Sequence, residues 1–285
     1  MNRPRVAPDA PERAAALHRR ALAANEDMRP AVAARLLRRA LSELDAVPGS
    51  ETADTVRGGI LVTLAITEAE LGDAAHGLAL LDQARPLVTG PQRAVVHAQR
   101  AVLLRRIGRD ADALPEYDAA LRLLDERESA LLVAKVLLNR GVLHTAAGRL
   151  AQARSDLQRC LELATADGAV ALVAKAEHDL GFVEWAAGDL PAALRRYERT
   201  EAQYREVLPG NLAMLSLDRA RVLLVAGLYA EAEAELARAV PALRRQRSGQ
   251  DHAEGLLAQA EAALLAGRAG DAGRCARRAA AAFER

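Results

Sequence analysis

Histidine and cysteine are the residue types with which this sequence could hold a metal ion or carry a nucleophile. The six histidines never occur in the His-x3-His or His-Glu-x-x-His spacing of metal-binding helices. The sequence also lacks the Gly-x4-Gly-Lys-Ser/Thr of a phosphate-binding loop and the Gly-x-Ser-x-Gly of a nucleophile turn. We therefore predict no catalytic residue, no metal and no cofactor, and we expect that the chain is not an enzyme.

Lysine is the third residue type with a suggestive placement. The chain has 39 basic residues, and only Lys135 and Lys175 are lysines. Both end the phrase Leu-Val-Ala-Lys, and each is followed four residues later by a polar residue, Asn139 or Asp179. On a helix this spacing places the two side chains one turn apart on the same face. The repeated phrase indicates an internal repeat. The two lysines could serve partner binding, or Lys175 and Asp179 could form only a solvent-exposed pair worth about 0.3–0.5 kcal/mol.

The repeat is clearest in a series of glycines. The glycines are Gly72, Gly108, Gly148, Gly188, Gly227 and Gly267. Successive glycines are separated by 36, 40, 40, 39 and 40 residues. Small residues lie seven positions before each glycine (Ala65, Ala101, Gly141, Gly181, Ala220, Ala260) and five positions after it (Gly77, Ala113, Ala153, Ala193, Ala232, Ala272). Because glycine is unfavourable inside a helix, this register predicts a helix, a glycine turn and a second helix that packs closely on the first.

The segment from Asn139 to Cys160 shows the full pattern, and it resembles the tetratricopeptide repeat (TPR). Two features depart from that pattern: the period is near 40 residues rather than about 34, and Arg often replaces Leu before the first small residue. The resemblance implies an all-α fold, a TPR-like α-solenoid. We predict a right-handed superhelix of about seven helix-turn-helix units, with about fourteen helices and no strand.

The repeat frame also divides the chain. Residues 1–11 contain three prolines and are predicted to be a flexible leader, followed by one superhelical domain over 12–285. Its predicted units are 12–47, 56–90, 91–127, 128–167, 168–207, 208–247 and 248–285. In the first unit Met28 stands where the later units have the turn glycine, and 47–55 is predicted to be a linker. We expect the chain to be the front part of a longer protein, because its last helix has no polar capping helix after it.

Composition narrows the class of partner. Net charge is +1, from 39 basic and 38 acidic residues, and that balance argues against nucleic acid or an anionic membrane as the partner. No run of 18 apolar residues and no apolar secretory segment is present, so we expect a cytoplasmic protein. A protein or peptide is the partner class that remains, and the oligomeric state stays open.

The concave side of a solenoid is its usual interaction surface. In this frame the groove positions of the central repeats are Arg105, Arg106, Lys135, Asn139, Lys175, His178, Asp179, Phe182, Trp185 and Arg221. In TPR peptide receptors, Lys or Arg and Asn at such positions hold a carboxylate and backbone amides of the partner, and the resemblance here covers Lys135, Asn139 and Lys175. It implies a partner that is acidic or has a free carboxylate, with the two aromatic residues as an apolar anchor.

The phrases at 137–144, 148–157, 187–194 and 217–228 are similar to the N-terminal repeat region of actinobacterial CHAT proteins, in which a TPR array precedes a caspase-like protease domain. That resemblance implies a bacterial interaction or scaffold module that recruits for, or regulates, an appended protease. The alternative is a ligand- or peptide-sensing regulatory domain of a transcriptional regulator. No part of a protease domain is visible in this sequence.

Overall fold

The protein is described here by a computed structural model covering residues 9–46, 50–246 and 248–284. Those ranges form fourteen α-helices and two short 3-10 helices, with no β-strand among them, so the predicted all-α class is confirmed. The helices are α1 (Ala10–Glu26), α2 (Pro30–Leu44), α3 (Glu51–Glu70), α4 (Ala74–Ala84), α5 (Gly90–Arg106), α6 (Asp110–Arg122), α7 (Ala130–Ala146), α8 (Leu150–Asp167), α9 (Val170–Ala186), α10 (Leu190–Val207), α11 (Leu212–Val225), α12 (Tyr229–Arg245), α13 (Gly249–Leu265) and α14 (Ala269–Phe283).

The predicted glycines lie at the turns between paired helices. All six adopt positive φ, and Gly148 has φ of 70°. At that turn the Arg149 N–H donates to the His144 carbonyl at 2.8 Å, which caps the end of α7 as in a Schellman motif. Met28 adopts φ of 56° at the same place in the first pair, and it is the one described non-glycine residue with positive φ. The backbone of the turn is thus kept even where its glycine is absent.

The small residues of the repeat allow the two helices of a pair to approach closely. A Cβ atom on Gly181 would lie 2.5 Å from Cε1 of Tyr197, and one on Gly141 would lie 2.8 Å from Cγ of Leu157. Contacts under 3 Å cannot be accommodated by a buried ring or branched side chain without movement. These positions therefore require glycine because the partner helix places a large side chain against them.

The unusual arginines of the repeat form ion pairs within a helical pair. Arg140, eight residues before its turn glycine, binds both carboxylate oxygens of Asp156, eight residues after it, at 2.7 Å. Two other pairs make the same link, Arg100–Glu116 at 3.1 Å and Arg219–Glu235 at 3.3 Å. In the second helical pair both positions are leucines, Leu64 and Leu80, and both are buried. The arginines are thus an alternative way to join the two helices.

The chain divides into two units, Met1–Asn139 and Arg140–Arg285, each with its own core. In the first unit, buried Ala, Leu, Ile and Val side chains from α1 to α5 form one cluster. In the second unit, one cluster surrounds Tyr197 and Tyr204, and another joins α11, α12 and α13 through Leu217 and Leu236. Three of the seven aromatic residues of the sequence, Tyr197, Tyr204 and Trp185, therefore lie in the core that supports α9 and α11.

Two predicted boundaries fall near helix starts. Residues 1–8 of the leader lie outside the described residues, whereas α1 already begins at Ala10, where Asp9 Oδ1 accepts from the Glu12 N–H at 3.0 Å. Within the predicted linker, 47–49 also lie outside the described residues, but α3 begins at Glu51, after the N-cap Ser50. Both starts follow an Asp or Ser that can cap a helix. The division into a leader and one continuous repeat domain stays a prediction.

Candidate functional site

The second unit contains a recess on the side of its first helices. Its volume is about 200 Å³, and it lies between the end of α7, the middle of α9 and the middle of α11. The lining residues are Val142, Thr145, Ala146, His178, Asp179, Phe182 and Asp218. Three of them, His178, Asp179 and Phe182, are among the predicted groove residues. His178 and Asp179 are adjacent in sequence, and Phe182 lies about one turn after both of them along α9, so all three can reach the same recess.

His178 anchors a buried polar network at the base of this recess. Its Nε2 lies 3.1 Å from Oδ2 of Asp218, and its Nδ1 lies 3.1 Å from the Tyr204 hydroxyl. A carboxylate only accepts, so Nε2 carries a proton and donates to Asp218, while Nδ1 and the Tyr204 hydroxyl form the second hydrogen bond of the ring. Burial raises the pKa of Tyr204, which keeps that hydroxyl protonated. Both nitrogens of the His178 ring therefore have a hydrogen-bond partner, and the ring is held in one orientation.

Arg221 belongs to the same network rather than to the open surface. One of its nitrogens donates to Asp218 Oδ1 at 3.0 Å and another to Glu254 Oε2 on α13 at 2.5 Å. Burial and the charges of Glu254 and Asp218 raise the pKa of Asp251 in the same region. The carboxylates Asp218, Asp251 and Glu254 thus outnumber the single guanidinium beside them, so in this unit the network is locally acidic.

Two aromatic residues stand on the same stretch of α9. The rings of Phe182 and Trp185 meet edge to face, with centroids 4.9 Å apart. Phe182 lines the recess, whereas Trp185 packs against the core cluster that contains Tyr197 and Tyr204. Both rings are partly exposed. Trp185 is the only tryptophan in the sequence, so it is a natural reporter of this region.

The remaining predicted groove residues have different surroundings. Arg105 is exposed at the end of α5, and a nitrogen of Arg106 donates to the Ala69 carbonyl at 2.6 Å, in the last turn of α3. The Asn139 amide donates to the Lys135 carbonyl at 3.0 Å, and both residues belong to the first unit. Lys175 is exposed on α9, in the second unit. Five of the ten lie in or beside the recess, namely His178, Asp179, Phe182, Trp185 and Arg221. Lys175 lies one turn before Asp179 on the same helix.

Sequence reasoning did not identify Tyr204 and Glu254 as members of the network. Tyr204 lies near the end of α10 and reaches His178 from the second helix of the same pair, with ring centroids 5.6 Å apart. Glu254 lies on α13, one repeat beyond Arg221. The repeat frame gives no signal for Glu254, because the equivalent positions of the preceding repeats are Lys135, Lys175 and Met214. Tyr204 likewise had no signal in the frame of small residues.

The described residues form neither a cluster of metal ligands nor a helix suited to span a membrane. Among the described residues no three His, Cys, Asp or Glu side chains are grouped as metal ligands would be. Cys160 is buried and Cys275 is partly buried, both in second helices. None of the helices over the described ranges combines the length and the apolar character that a membrane span requires.

Comparison with protein families gives one match: residues 132–206 fit the family model of the tetratricopeptide repeat. The matched stretch contains α8, α9 and nearly all of α10, and therefore the residues of the recess that come from α9. No curated protein sequence matches the chain significantly.

Solved structures match over most of the chain at low identity. A tetratricopeptide repeat protein from Parabacteroides merdae has a TM-score of 0.66 and 16% identity, with 95% of this chain and 93% of that chain covered. A Rap protein in complex with competence and sporulation factor has a TM-score of 0.77 and 14% identity, with 96% and 78% covered. BtubC from P. vanneervenii has a TM-score of 0.62 and 20% identity, with 75% and 91% covered. The predicted TPR-like α-solenoid fold is confirmed.

Proposed function

We propose that this chain is an interaction module that binds a peptide or an extended protein segment on the first-helix face of its second unit, meaning the exposed surface of α9, α11 and α13. The recess beside Phe182 is the observation that carries the proposal. Its base is a satisfied, buried polar network and its wall is aromatic, so the surface is organised before any partner arrives. A preorganised recess of this kind loses little conformational entropy on binding.

A display experiment tests this proposal. The full chain would be used to select binders from a library of random heptapeptides, and selected peptides would be titrated while Trp185 fluorescence is recorded. We expect Phe182→Ala to weaken binding at least tenfold, because Phe182 lines the recess. Val207→Ala is the matched control, since Val207 is an exposed apolar residue at the end of α10. Peptides that bind the Phe182 variant as well as the wild type would refute the assignment of the face.

The acidic or carboxylate-bearing partner expected from Lys135, Asn139 and Lys175 remains a proposal of its own. Both lysines are exposed, so each could donate charge-assisted hydrogen bonds to a carboxylate. Changing both lysines to Glu should weaken the binding of such a partner by at least about 2 kcal/mol if the contacts are partly desolvated. If the double variant binds the partner as tightly as the wild type at both of two salt concentrations, the lysines are not part of the site.

The biological setting follows the resemblance to CHAT proteins. On that basis we propose that the module is cytoplasmic and recruits for, or regulates, a caspase-like protease in a longer bacterial protein. The second candidate is a peptide- or ligand-sensing regulatory domain, and the fold it shares with the Rap protein bound to competence and sporulation factor favours it. The complete parent gene separates the two: a caspase-like domain supports the first, and a DNA-binding domain supports the second.

A further inference from the structure

The recess has the volume of one extended side chain. Its 200 Å³ corresponds to about seven water molecules at roughly 30 Å³ each. Sites for whole small molecules and cofactors are larger, typically about 300–1,000 Å³. An occupant supplied by a bound peptide would therefore be a single long side chain rather than a cofactor.

The charge of the lining selects the kind of side chain. Two carboxylates, Asp179 and Asp218, line the recess, and none of its lining residues is Lys or Arg. Asp218 is only 7% exposed and His178 only 8%, so little water remains to screen the carboxylate. An acidic side chain would be repelled here, whereas a cationic one would be attracted.

Asp218 can accept a further donor although both of its oxygens are in use. Oδ1 accepts from Arg221, and Oδ2 accepts from His178. Each carboxylate oxygen has two acceptor sites, so one remains on each. Arg221 is also held by Glu254 at 2.5 Å, on the α13 side of the network. Asp218 lines the recess and therefore keeps acceptor capacity for a further donor there.

The ring of Phe182 is a third feature of the recess that suits a cationic side chain. An aromatic ring attracts a cation held within about 6 Å of its centroid, and arginine does this more often than lysine. The guanidinium group is also planar and offers several N–H donors in a fixed fork, which suits two carboxylates and a ring better than a compact ammonium group does. The combination of Asp179, Asp218 and Phe182 in one recess favours arginine.

We propose that the recess formed by His178, Asp179, Phe182 and Asp218 binds the side chain of an arginine residue in the partner peptide. This inference rests on the proposed function, since it names a side chain of the peptide that the first-helix face would bind. It concerns residues other than Lys135 and Lys175, for which an acidic group of the partner was expected.

Three matched peptides test the inference on the full chain. The probes are acetyl-Gly-Gly-Arg-Gly-Gly-amide, the same peptide with citrulline, which is nearly isosteric and neutral, and the same peptide with glutamate. Trp185 fluorescence reports occupancy. We expect a saturable response to the arginine peptide, with an affinity at least tenfold higher than that of the citrulline peptide. Binding of the arginine peptide should weaken at higher salt. The glutamate peptide should give no response.

Two variants show where the arginine binds. Asp179→Asn and Asp218→Asn should each weaken binding of the arginine peptide about tenfold and leave the affinity for the citrulline peptide unchanged. The control Glu198→Gln, on the exposed surface of α10, should change neither affinity. If Asp218→Asn fails to fold, which near-ultraviolet circular dichroism detects, the partly exposed Asp179 decides the question. Equal affinity for arginine and citrulline peptides, no response to arginine, or a wild-type response in Asp179→Asn would overturn the inference. Library-selected peptides that still depend on Phe182 would leave the proposed function standing.

Discussion

The ion pair between Arg140 and Asp156 provides a quantitative test of how a helical pair is held together. Arg140 uses two nitrogens to bind both oxygens of Asp156 at 2.7 Å. The side chain of Asp156 is 9% exposed and that of Arg140 is 21% exposed. We predict that Arg140→Leu destabilises the second unit, because it leaves a buried carboxylate without its main donor.

The magnitude follows from the burial of the two side chains. Exposed ion pairs contribute about 0.2–1 kcal/mol, whereas removing one partner from a fully buried pair costs about 3–5 kcal/mol. This pair lies between those limits and closer to the buried one, so we expect Arg140→Leu to cost about 2–3 kcal/mol. Leucine and arginine have nearly equal helix propensity, so the change adds little of its own.

The double variant Arg140→Leu with Asp156→Leu should recover most of the loss. Replacing a buried ion pair by apolar residues is often neutral or stabilising. The same two positions are already leucines in the second helical pair, Leu64 and Leu80, where both are buried. We therefore expect the double variant to lie within about 1 kcal/mol of the wild type.

Urea unfolding followed by Trp185 fluorescence is a suitable assay, because Trp185 belongs to the same unit as the pair. The four proteins of the cycle give a coupling energy, and we predict that it exceeds about 1.5 kcal/mol. A cost below about 0.5 kcal/mol for Arg140→Leu, or a double variant as unstable as the sum of the two single changes, would refute the reasoning.

Three further predictions concern the turns, the helix contacts and the buried tyrosines. Met28→Gly should stabilise the chain by about 1 kcal/mol in urea unfolding, since a side chain at positive φ costs about 1–2 kcal/mol, whereas Met28→Ala should give no gain. Gly181→Ala should destabilise the protein by about 1–2 kcal/mol, because the added Cβ would lie 2.5 Å from the Tyr197 ring. The control Gly273→Ala should not destabilise the protein, because the nearest atom to its Cβ is an Arg side-chain nitrogen 3.6 Å away. Burial raises the pKa of Tyr117 from 10.0 to about 12, so its contribution to stability is fully present below pH 10 and is lost between about pH 10 and 12. Tyrosinate absorbance and unfolding measured over that range should show this delayed ionisation, and ionisation at the ordinary pH without loss of structure would contradict it.

The fold could be predicted from the sequence because it depends on local rules that repeat. Glycine at a turn such as Gly148 and small residues such as Gly141 and Ala153 recur at fixed spacing, and each follows from backbone geometry or close helix packing. Even the exception at Met28 was recognised by its position in the frame. The repeat frame does not specify where α1 and α3 begin, because Asp9 and Ser50 act as N-caps, a signal carried by one residue rather than by the repeat.

The site was predicted less completely. The frame placed His178, Phe182 and Arg221 on the face formed by first helices, but it treated Arg221 as an available positive charge. The structure shows Arg221 bonded to Asp218 and to Glu254, which lies on another repeat. Spacing along one helix identifies which residues share a face, whereas charge balance depends on neighbours from helices that are distant in sequence.

Photo-crosslinking of a selected peptide tests the central claim most directly. A heptapeptide from the display selection would carry benzoylphenylalanine at each position in turn, and the cross-linked residues of the full chain would be mapped by mass spectrometry. The proposed function predicts cross-links concentrated on α9 and α11, around Phe182 and Asp218, and absent from α10 and α12. Cross-links concentrated on those second helices, or spread evenly along the chain, would contradict it.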